Sequence, residues 1–438
     1  MVSVRIMASL VRTTGQDVGR TAQQCPRPAR SSGTGVFPAY RDGVLSRLRS
    51  DLSGQAVAAG VSAAVLGYAS SVAVVVAGLT AVGASAAQVG SGLLALGVLM
   101  AVTSIGMSVR LRLPVSVVWS TPGLALLATT GAVDGGFPAV LGAFVVVGLL
   151  LVLTGLAPPV ARALRRLPVP LTAAVLAGVL LPFCLAPARA VAELPLQAGV
   201  VVLAWAVAWR LAPAYAAPAA LVAMAAVVAL TSSLESPPGG VLPRLVATAP
   251  VFTWSAVAQV ALPVYLVTMA AQNLVGVAVL TAQGYRAPVG AVLVTTGAAS
   301  AAGAPFGATT LNLAAITGAL TAGPAAHADL SRRWVAAAAA GATYVLLAAL
   351  APLTAALVTG ADERLVATAA GLGLLGALTA AVSGAWADEA CRTPAAVTLL
   401  VTASGVTVLG LGAAPLGLLA GGGLLLLDRA GRTRSGRH

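Results

Sequence analysis

Long apolar segments recur from about residue 55 to residue 427, separated by short polar or turn-forming stretches. Most approach the ~20 residues that a helix needs to cross the hydrocarbon of a bilayer. The apolar positions are continuous and do not alternate with polar ones, which predicts helices. We predict about fourteen spans, near residues 55–79, 89–108, 114–131, 138–157, 169–186, 195–210, 214–231, 258–282, 287–303, 308–322, 332–355, 363–384, 393–410 and 412–427. The fold class predicted is therefore an all-α integral membrane protein.

A polar segment containing Pro237–Gly240 divides the spans into seven and seven. A seven-span unit that is repeated once must be inverted in the membrane, as in many secondary transporters. The segment Ser71–Gly83 resembles Gln272–Gly284, which supports two inverted seven-helix repeats. The predicted organisation is a disordered Arg-rich cytoplasmic tail (1–50), the first repeat (51–231), an external polar loop and lead-in (232–257), the second repeat (258–427) and a basic cytoplasmic tail (428–438).

The distribution of charge supports this topology. The chain is 59% hydrophobic and 8% charged, with a formal net charge of +13, and every basic side chain is Arg. With both termini inside, 22 of the 25 Arg residues lie on the inner side, and only Arg189, Arg244 and Arg364 lie outside. This asymmetry follows the positive-inside rule and predicts a multi-pass protein of the cell membrane. Because spans interrupt each Arg cluster, a nucleic-acid-binding face is disfavoured.

The third predicted span of each half is interrupted by Pro and Gly. In the first half, Ser120-Thr121-Pro122-Gly123 precedes a short apolar run, and in the second, Gly307 precedes Thr310 and Asn312. Each of these spans should be extended first and helical afterwards, with Ser120 or Thr121 capping the first short helix. A helix that begins inside the membrane directs free N–H groups at what lies before it, which predicts an anion site. Ordinary kinked packing helices remain the alternative.

Polar residues in the first span of each half complete the predicted site. Tyr68, Ser70 and Ser71 lie close together on one helix, and Gln272 and Asn273 stand in an otherwise apolar stretch. Amides in hydrocarbon are costly unless paired, so these two either bridge helices or bind substrate. The candidate substrate-binding residues are Tyr68, Ser70, Ser71, Ser120, Thr121, Gly123, Gln272, Asn273, Gly307, Thr310 and Asn312.

The residues needed for other functions are missing from the spans. None of the 12 carboxylates falls in the interior of a predicted span (Glu363 is the first residue of 363–384), and the three Cys residues show no paired spacing. Without Lys, the chain cannot form a phosphate-binding P-loop for ATP. We therefore expect no enzyme activity, no cofactor and no metal site. The residues alone indicate carriage of a small anionic solute, and an anion channel remains open as an alternative.

Several segments resemble the BenE-type benzoate/proton symporter family, in collinear order over about residues 50 to 427. They include SIGMSVRLRLPVSVVWSTPGLALLAT, TMAAQNLVGVAVLTAQGY and APFGATTLNLAAITGALTAGPAAHAD. The family is similar in fold to nucleobase and sulfate transporters, which implies a core domain (the first four spans of each half) and a gate domain (the last three). The resemblance places substrate between half-helices Ser120–Gly131 and Thr309–Thr321.

The resemblance implies a secondary transporter that imports benzoate or a related aromatic carboxylate with protons, by alternating access. A nucleobase or inorganic-anion transporter of the same fold is the alternative. Gln272 and Asn312 occupy the neighbourhood where related nucleobase carriers have acidic residues, which argues against a nucleobase. The expected partners are a benzoate-like anion, protons, the lipid bilayer and, as an open alternative to a monomer, a second copy in a homodimer.

Overall fold

A computed structural model of the chain describes residues 51–157, 168–231, 244–406 and 413–435. The predicted tail 1–50, most of the predicted external loop and the last three residues lie outside these ranges. The helices are α1 Gly54–Ala81, α2 Ala86–Leu111, α3 Thr121–Thr130, α4 Gly136–Leu156, α5 Val169–Glu193, α6 Pro195–Leu211, α7 Ala216–Thr231, α8 Trp254–Ala282, α9 Val289–Gly303, α10 Ile316–Ala322, α11 Trp334–Ala349, α12 Ala351–Thr359, α13 Glu363–Ala385, α14 Arg392–Ala403 and α15 Ala413–Ser435. Two short strands, β1 Val117–Trp119 and β2 Leu311–Leu313, complete the fold.

The prediction of a helical membrane protein is confirmed. Within the described ranges, eight helices are long and apolar enough to cross a membrane. The number rises to nine if Leu330–Ala349 and Ala351–Val358, which meet at 59°, form one bent span. For the part of the chain that the structure describes, length and composition thus support fewer spans than the predicted fourteen, because segments such as α6 are shorter and two predicted spans are part strand. Residues 407–410 of the predicted span 393–410 lie outside the described ranges.

Both interrupted spans contain a strand, and the two strands pair. β1 and β2 are antiparallel, with Val118 opposite Asn312 at the centre of the register. A Ser from the preceding helix supports each strand: Val117 N donates to Ser104 Oγ (2.9 Å) and Leu311 N donates to Ser300 Oγ (2.8 Å). Because hydrocarbon offers no partners to extended backbone, these bonds make a strand tolerable at membrane depth.

The first half-helix begins as the sequence predicts. Ser120 is the N-cap of α3, and its Oγ accepts from Gly123 N (3.2 Å), with Pro122 in the first turn. Pro is favoured there because its missing N–H would have no helical partner.

The second half-helix begins later than predicted. The expected helix Thr309–Thr321 is replaced by strand β2 followed by the shorter α10, which starts at Ile316. Leu313 N donates to Asn273 Oδ1 (3.0 Å), and Ala314 N donates to Ser116 O (2.8 Å). These distant acceptors hold the backbone extended, so Thr310 does not lie at a helix N-terminus.

Gly307 also lies away from α10. It follows a short 3₁₀ turn, Ala304–Phe306, and has a φ of +85°, which favours Gly. A Cβ here would lie 3.1 Å from the Gln88 carbonyl oxygen of α2. The expectation that Gly307 directly precedes a half-helix is therefore wrong, and this Gly forms a tight turn against α2.

The helices pack as two bundles. The first bundle contains α1–α4 and α8–α12, and the second contains α5–α7 and α13–α15. Small residues allow close approach inside the first bundle: a Cβ on Gly148 of α4 would lie 2.6 Å from the Gly297 carbonyl oxygen of α9. Such contacts are typical where helices associate in lipid through packing of small side chains.

Helix α8 contains two π-helical stretches, Val257–Ala261 and Met269–Asn273. It begins at Trp254, inside the predicted external lead-in, because the Thr253 side chain caps it by accepting from Ala256 N (3.1 Å). A π turn changes the direction of the side chains that follow and is often found at functional sites. The second π stretch carries the adjacent amides Gln272 and Asn273.

Candidate functional site

A cavity of about 650 Å³ lies between the two bundles. This is within the range of small-molecule sites, about 300–1,000 Å³. The first bundle contributes α1, the β1–α3 junction, α8, α10 and α11, and the second contributes residues of α5 and α13. The polar and aromatic lining residues are Tyr68, Ser70, Ser71, Trp119, Thr121, Gln272, Thr317 and Tyr344. The other lining residues are apolar or Gly, and none of the described lining residues is charged.

Gln272 offers the cavity a free amide. Its side chain lines the cavity and forms no hydrogen bond with any described residue. The neighbouring Asn273 is 2% exposed and uses its Oδ1 to accept from Leu313 N (3.0 Å). The two adjacent amides therefore differ in their contacts: Asn273 holds strand β2, and Gln272 is available to a ligand.

Tyr68 and Trp119 form an aromatic corner of the cavity. Their ring centroids are 5.4 Å apart with an interplanar angle of 56°. The Trp119 indole Nε1 donates to Ser71 Oγ (3.0 Å), and Ser71 Oγ donates to the Gly67 carbonyl (2.8 Å). The Tyr68 hydroxyl is buried next to Thr354 and makes no well-formed hydrogen bond within the described structure. These contacts fix the indole as a wall against which an aromatic ring can pack.

The start of α3 borders the cavity through Thr121 and Pro122. The Ser120 hydroxyl is not available there, because it caps the helix and is 2.6 Å from Thr268 Oγ1. The N-terminus of this ten-residue helix carries roughly half a unit of positive charge. In an apolar cavity without a cationic lining side chain, this partial charge favours a ligand anion.

The structure brings five of the eleven predicted site residues to the cavity: Tyr68, Ser70, Ser71, Thr121 and Gln272. The other six do not line it: Ser120, Gly123, Asn273, Gly307, Thr310 and Asn312. Asn312 is fully buried, with Nδ2 donating to the Leu313 carbonyl (3.0 Å) and Oδ1 without a partner among the described residues.

The bundles touch at the edge of the cavity. A Cβ on Gly373 of α13 would collide with the Ser70 carbonyl oxygen of α1. Leu180 of α5 and Leu374 of α13 also face the cavity. These residues give no signal in the sequence, because a Gly or Leu that faces a substrate looks like any other in an apolar helix. Trp119, by contrast, is part of the interrupted WSTPG segment, which could have identified it.

The acidic side chains whose pKa is lowered from its ordinary value lie in loops, away from the cavity. The Arg364 guanidinium lowers the pKa of Asp362 at the start of α13, and the Ser331 backbone N–H lowers that of Asp329. No group of three or more His, Cys, Asp or Glu side chains suited to a metal ion occurs among the residues whose positions are described. The chemistry of the cavity is thus that of hydrogen bonding and apolar contact.

Two known proteins are similar to this chain in sequence. The "Inner membrane protein YdcO" of Escherichia coli K12 is 38% identical over 372 residues, 83% of this chain and 93% of that protein. The "Benzoate membrane transport protein" of Acinetobacter baylyi is 32% identical over 327 residues, 73% of this chain and 82% of that protein.

The fold is similar to that of the transmembrane domain of a cyanobacterial bicarbonate transporter, BicA. The TM-score is 0.57 at 14% identity, covering 84% of this chain and 97% of that one. The sequence profile of the family described as "Benzoate membrane transport protein" matches residues 50–427. This chain belongs to that BenE family of membrane transport proteins.

Proposed function

We propose that the protein is a secondary transporter that imports benzoate or a related aromatic carboxylate together with protons. The observation that carries the proposal is the free Gln272 amide in an apolar cavity between the bundles. The amide supplies two N–H donors, and the start of α3 supplies a partial positive charge. The relative from Acinetobacter, which is named for benzoate, supports the same substrate class.

The lining favours an aromatic acid over an inorganic anion. A small ion such as bicarbonate would lose its hydration in a largely apolar cavity and gain few hydrogen bonds in return. An aromatic ring instead gains contact with the Tyr68–Trp119 corner and with Leu180 and Leu374. The similarity to a bicarbonate transporter is a similarity of fold and leaves the choice of substrate to the site.

Two inverted repeats are supported by equivalent contacts around the strands. Ser104 holds the start of β1 as Ser300 holds the start of β2. The last residue of each strand also donates to a polar side chain in the first helix of its half: the Trp119 indole Nε1 to Ser71 Oγ of α1, and the Leu313 backbone N to Asn273 Oδ1 of α8. We infer that the first bundle is the core domain and the second is the gate domain of an alternating-access transporter.

We infer that the cavity opens to the cytoplasm. Lining residue Ala214 follows Arg210 by four residues, and lining residue Leu320 lies on α10, which leads to Arg332; both Arg residues are assigned to the inner side by the positive-inside rule. A smaller cavity of about 70 Å³ lies near the ends of α3 and α8 that are away from the large cavity, and near the C-terminal end of α14. Its lining includes Thr130, Gln259 and Thr402. Both termini are then cytoplasmic, by the positive-inside assignment.

No carboxylate lines the described cavity, so the transported proton needs another carrier. We propose that it moves on the substrate carboxylate or on a group beside it, such as the Tyr68 hydroxyl or a water. Transport would then depend on pH without an intramembrane Asp or Glu.

Uptake of radiolabelled benzoate into proteoliposomes tests the proposal. We expect saturable uptake that rises several-fold when the side from which benzoate enters is made more acidic. Protein-free liposomes under the same gradient provide the control for permeation of neutral benzoic acid. Uptake equal to that control would contradict transport, and flux that never saturates would favour an anion channel.

A further inference from the structure

A second polar position lies in the cavity wall, formed by Thr317 of α10 and Tyr344 of α11. Both residues line the cavity, and the Tyr344 hydroxyl interacts with the Thr317 side chain. A Cβ on Gly67 of α1 would lie 2.9 Å from Thr317 Oγ1 and 3.6 Å from the Tyr344 hydroxyl. The absence of a side chain at Gly67 therefore makes room for this pair of hydroxyls against α1.

The hydroxyl pair lies about one helical turn, measured along α1, from the Trp119 wall of the cavity. On α1, Gly67 precedes Ser71, the partner of Trp119, by one turn. Trp119 is followed directly by Ser120, the N-cap of α3, so the start of α3 lies at the level of Ser71. One turn rises ~5.4 Å, so the cavity has two polar levels separated by roughly the width of an aromatic ring.

Thr317 is free to bond a ligand. Hydroxyl groups in transmembrane helices often donate to a carbonyl of their own helix, as Ser70 and Ser71 both do to the Gly67 carbonyl. The Thr317 hydroxyl makes no such bond to any described carbonyl and has Tyr344 as its polar neighbour. The pair can thus offer both a donor and an acceptor to a ligand hydroxyl.

We propose that the Thr317–Tyr344 pair binds a hydroxyl group at the para position of the substrate ring, while the carboxylate lies at Gln272 and the start of α3. The site then takes 4-hydroxybenzoate and similar para-hydroxylated aromatic acids as well as benzoate. In such acids the two polar groups lie at opposite ends of one ring, which matches the two levels. This inference rests on the proposed function and adds a specificity-determining pair to it.

Competition against radiolabelled benzoate uptake tests the proposal in wild-type protein, Tyr344→Phe and Thr317→Val. In the wild type, we expect 4-hydroxybenzoate to compete at least as well as unlabelled benzoate and better than 3-hydroxybenzoate. In either variant, 4-hydroxybenzoate should lose about fivefold in apparent affinity, the effect of one hydrogen bond. Benzoate makes no bond to the pair and should lose less affinity than 4-hydroxybenzoate, so the ratio of the two apparent affinities should shift toward benzoate.

Tyr265→Phe is the matched control, because Tyr265 is a buried Tyr that does not line the cavity and bonds to Thr154. It should leave the ratio of the two affinities unchanged. Equal competition by the 3- and 4-hydroxy acids, or equal loss of benzoate and 4-hydroxybenzoate in the variants, would overturn the para assignment while benzoate transport stood. Absence of benzoate uptake in the wild type would instead overturn the proposed function.

Discussion

Replacing Gln272 with Ala is expected to lower the apparent affinity for benzoate at least about tenfold while the protein still folds. The side chain lines the cavity without an intramolecular partner, so its removal leaves no buried group unsatisfied. The loss should come from the hydrogen bonds that the amide makes to the carboxylate, which are strengthened by the ligand charge. The apparent affinity is measured from initial rates of radiolabelled benzoate uptake over a series of benzoate concentrations.

Gln259→Ala provides the matched control for Gln272→Ala. Gln259 is on the same helix, but its Nε2 donates to Ser255 Oγ (2.9 Å), and it does not line the large cavity. We expect this variant to retain benzoate affinity within about twofold. If Gln272→Ala were unfolded after detergent extraction, or transported benzoate like Gln259→Ala, Gln272 would not be a substrate ligand.

Replacing the adjacent Asn273 is expected to damage folding. Asn273→Ala removes the acceptor of Leu313 N and leaves a buried N–H without a partner on β2. The expected loss is about 1–3 kcal/mol of unfolding free energy, because the N–H keeps its desolvation cost. Thermal unfolding of the purified protein in detergent can be monitored by the loss of monodispersity. The midpoint temperature should be lower for Asn273→Ala than for the wild type.

Thr281→Ala on the same helix separates this effect from a general sensitivity of α8. The Thr281 side chain is exposed, and its hydroxyl donates to the Val277 carbonyl of its own helix. Its removal should change the unfolding free energy by less than about 0.5 kcal/mol. If Asn273→Ala were as stable as Thr281→Ala, the bond to Leu313 would not hold β2.

Local signals in the sequence predicted the first half of the site well. Ser120, Pro122 and the following apolar residues are a helix start that can be recognised without tertiary information, and α3 begins there. The second interrupted span lacked such a signal. Its strand depends on acceptors far away in sequence, Asn273 and Ser116, so the extended backbone continues past the predicted helix start.

The two amides of α8 show a second limit of sequence reasoning. Gln272 and Asn273 are neighbours with similar chemistry, and the sequence predicted the same role for both. Their roles differ because adjacent residues of a helix point in different directions: within the π-helical stretch, Gln272 lines the cavity and Asn273 bonds β2. A π turn has no reliable sequence pattern, and neither do lining residues such as Gly373 in an apolar helix.

The central claim is that the cavity is built around an aromatic carboxylate, and competition between benzoate and benzamide for benzoate uptake tests it most directly. The two molecules share a ring and nearly a shape, but benzamide has no charge to match the start of α3 or the Gln272 donors. We predict that benzamide competes at least about tenfold less well than benzoate, a difference of ~1.4 kcal/mol. Equal competition by benzamide, or stronger competition by uracil, would contradict the account.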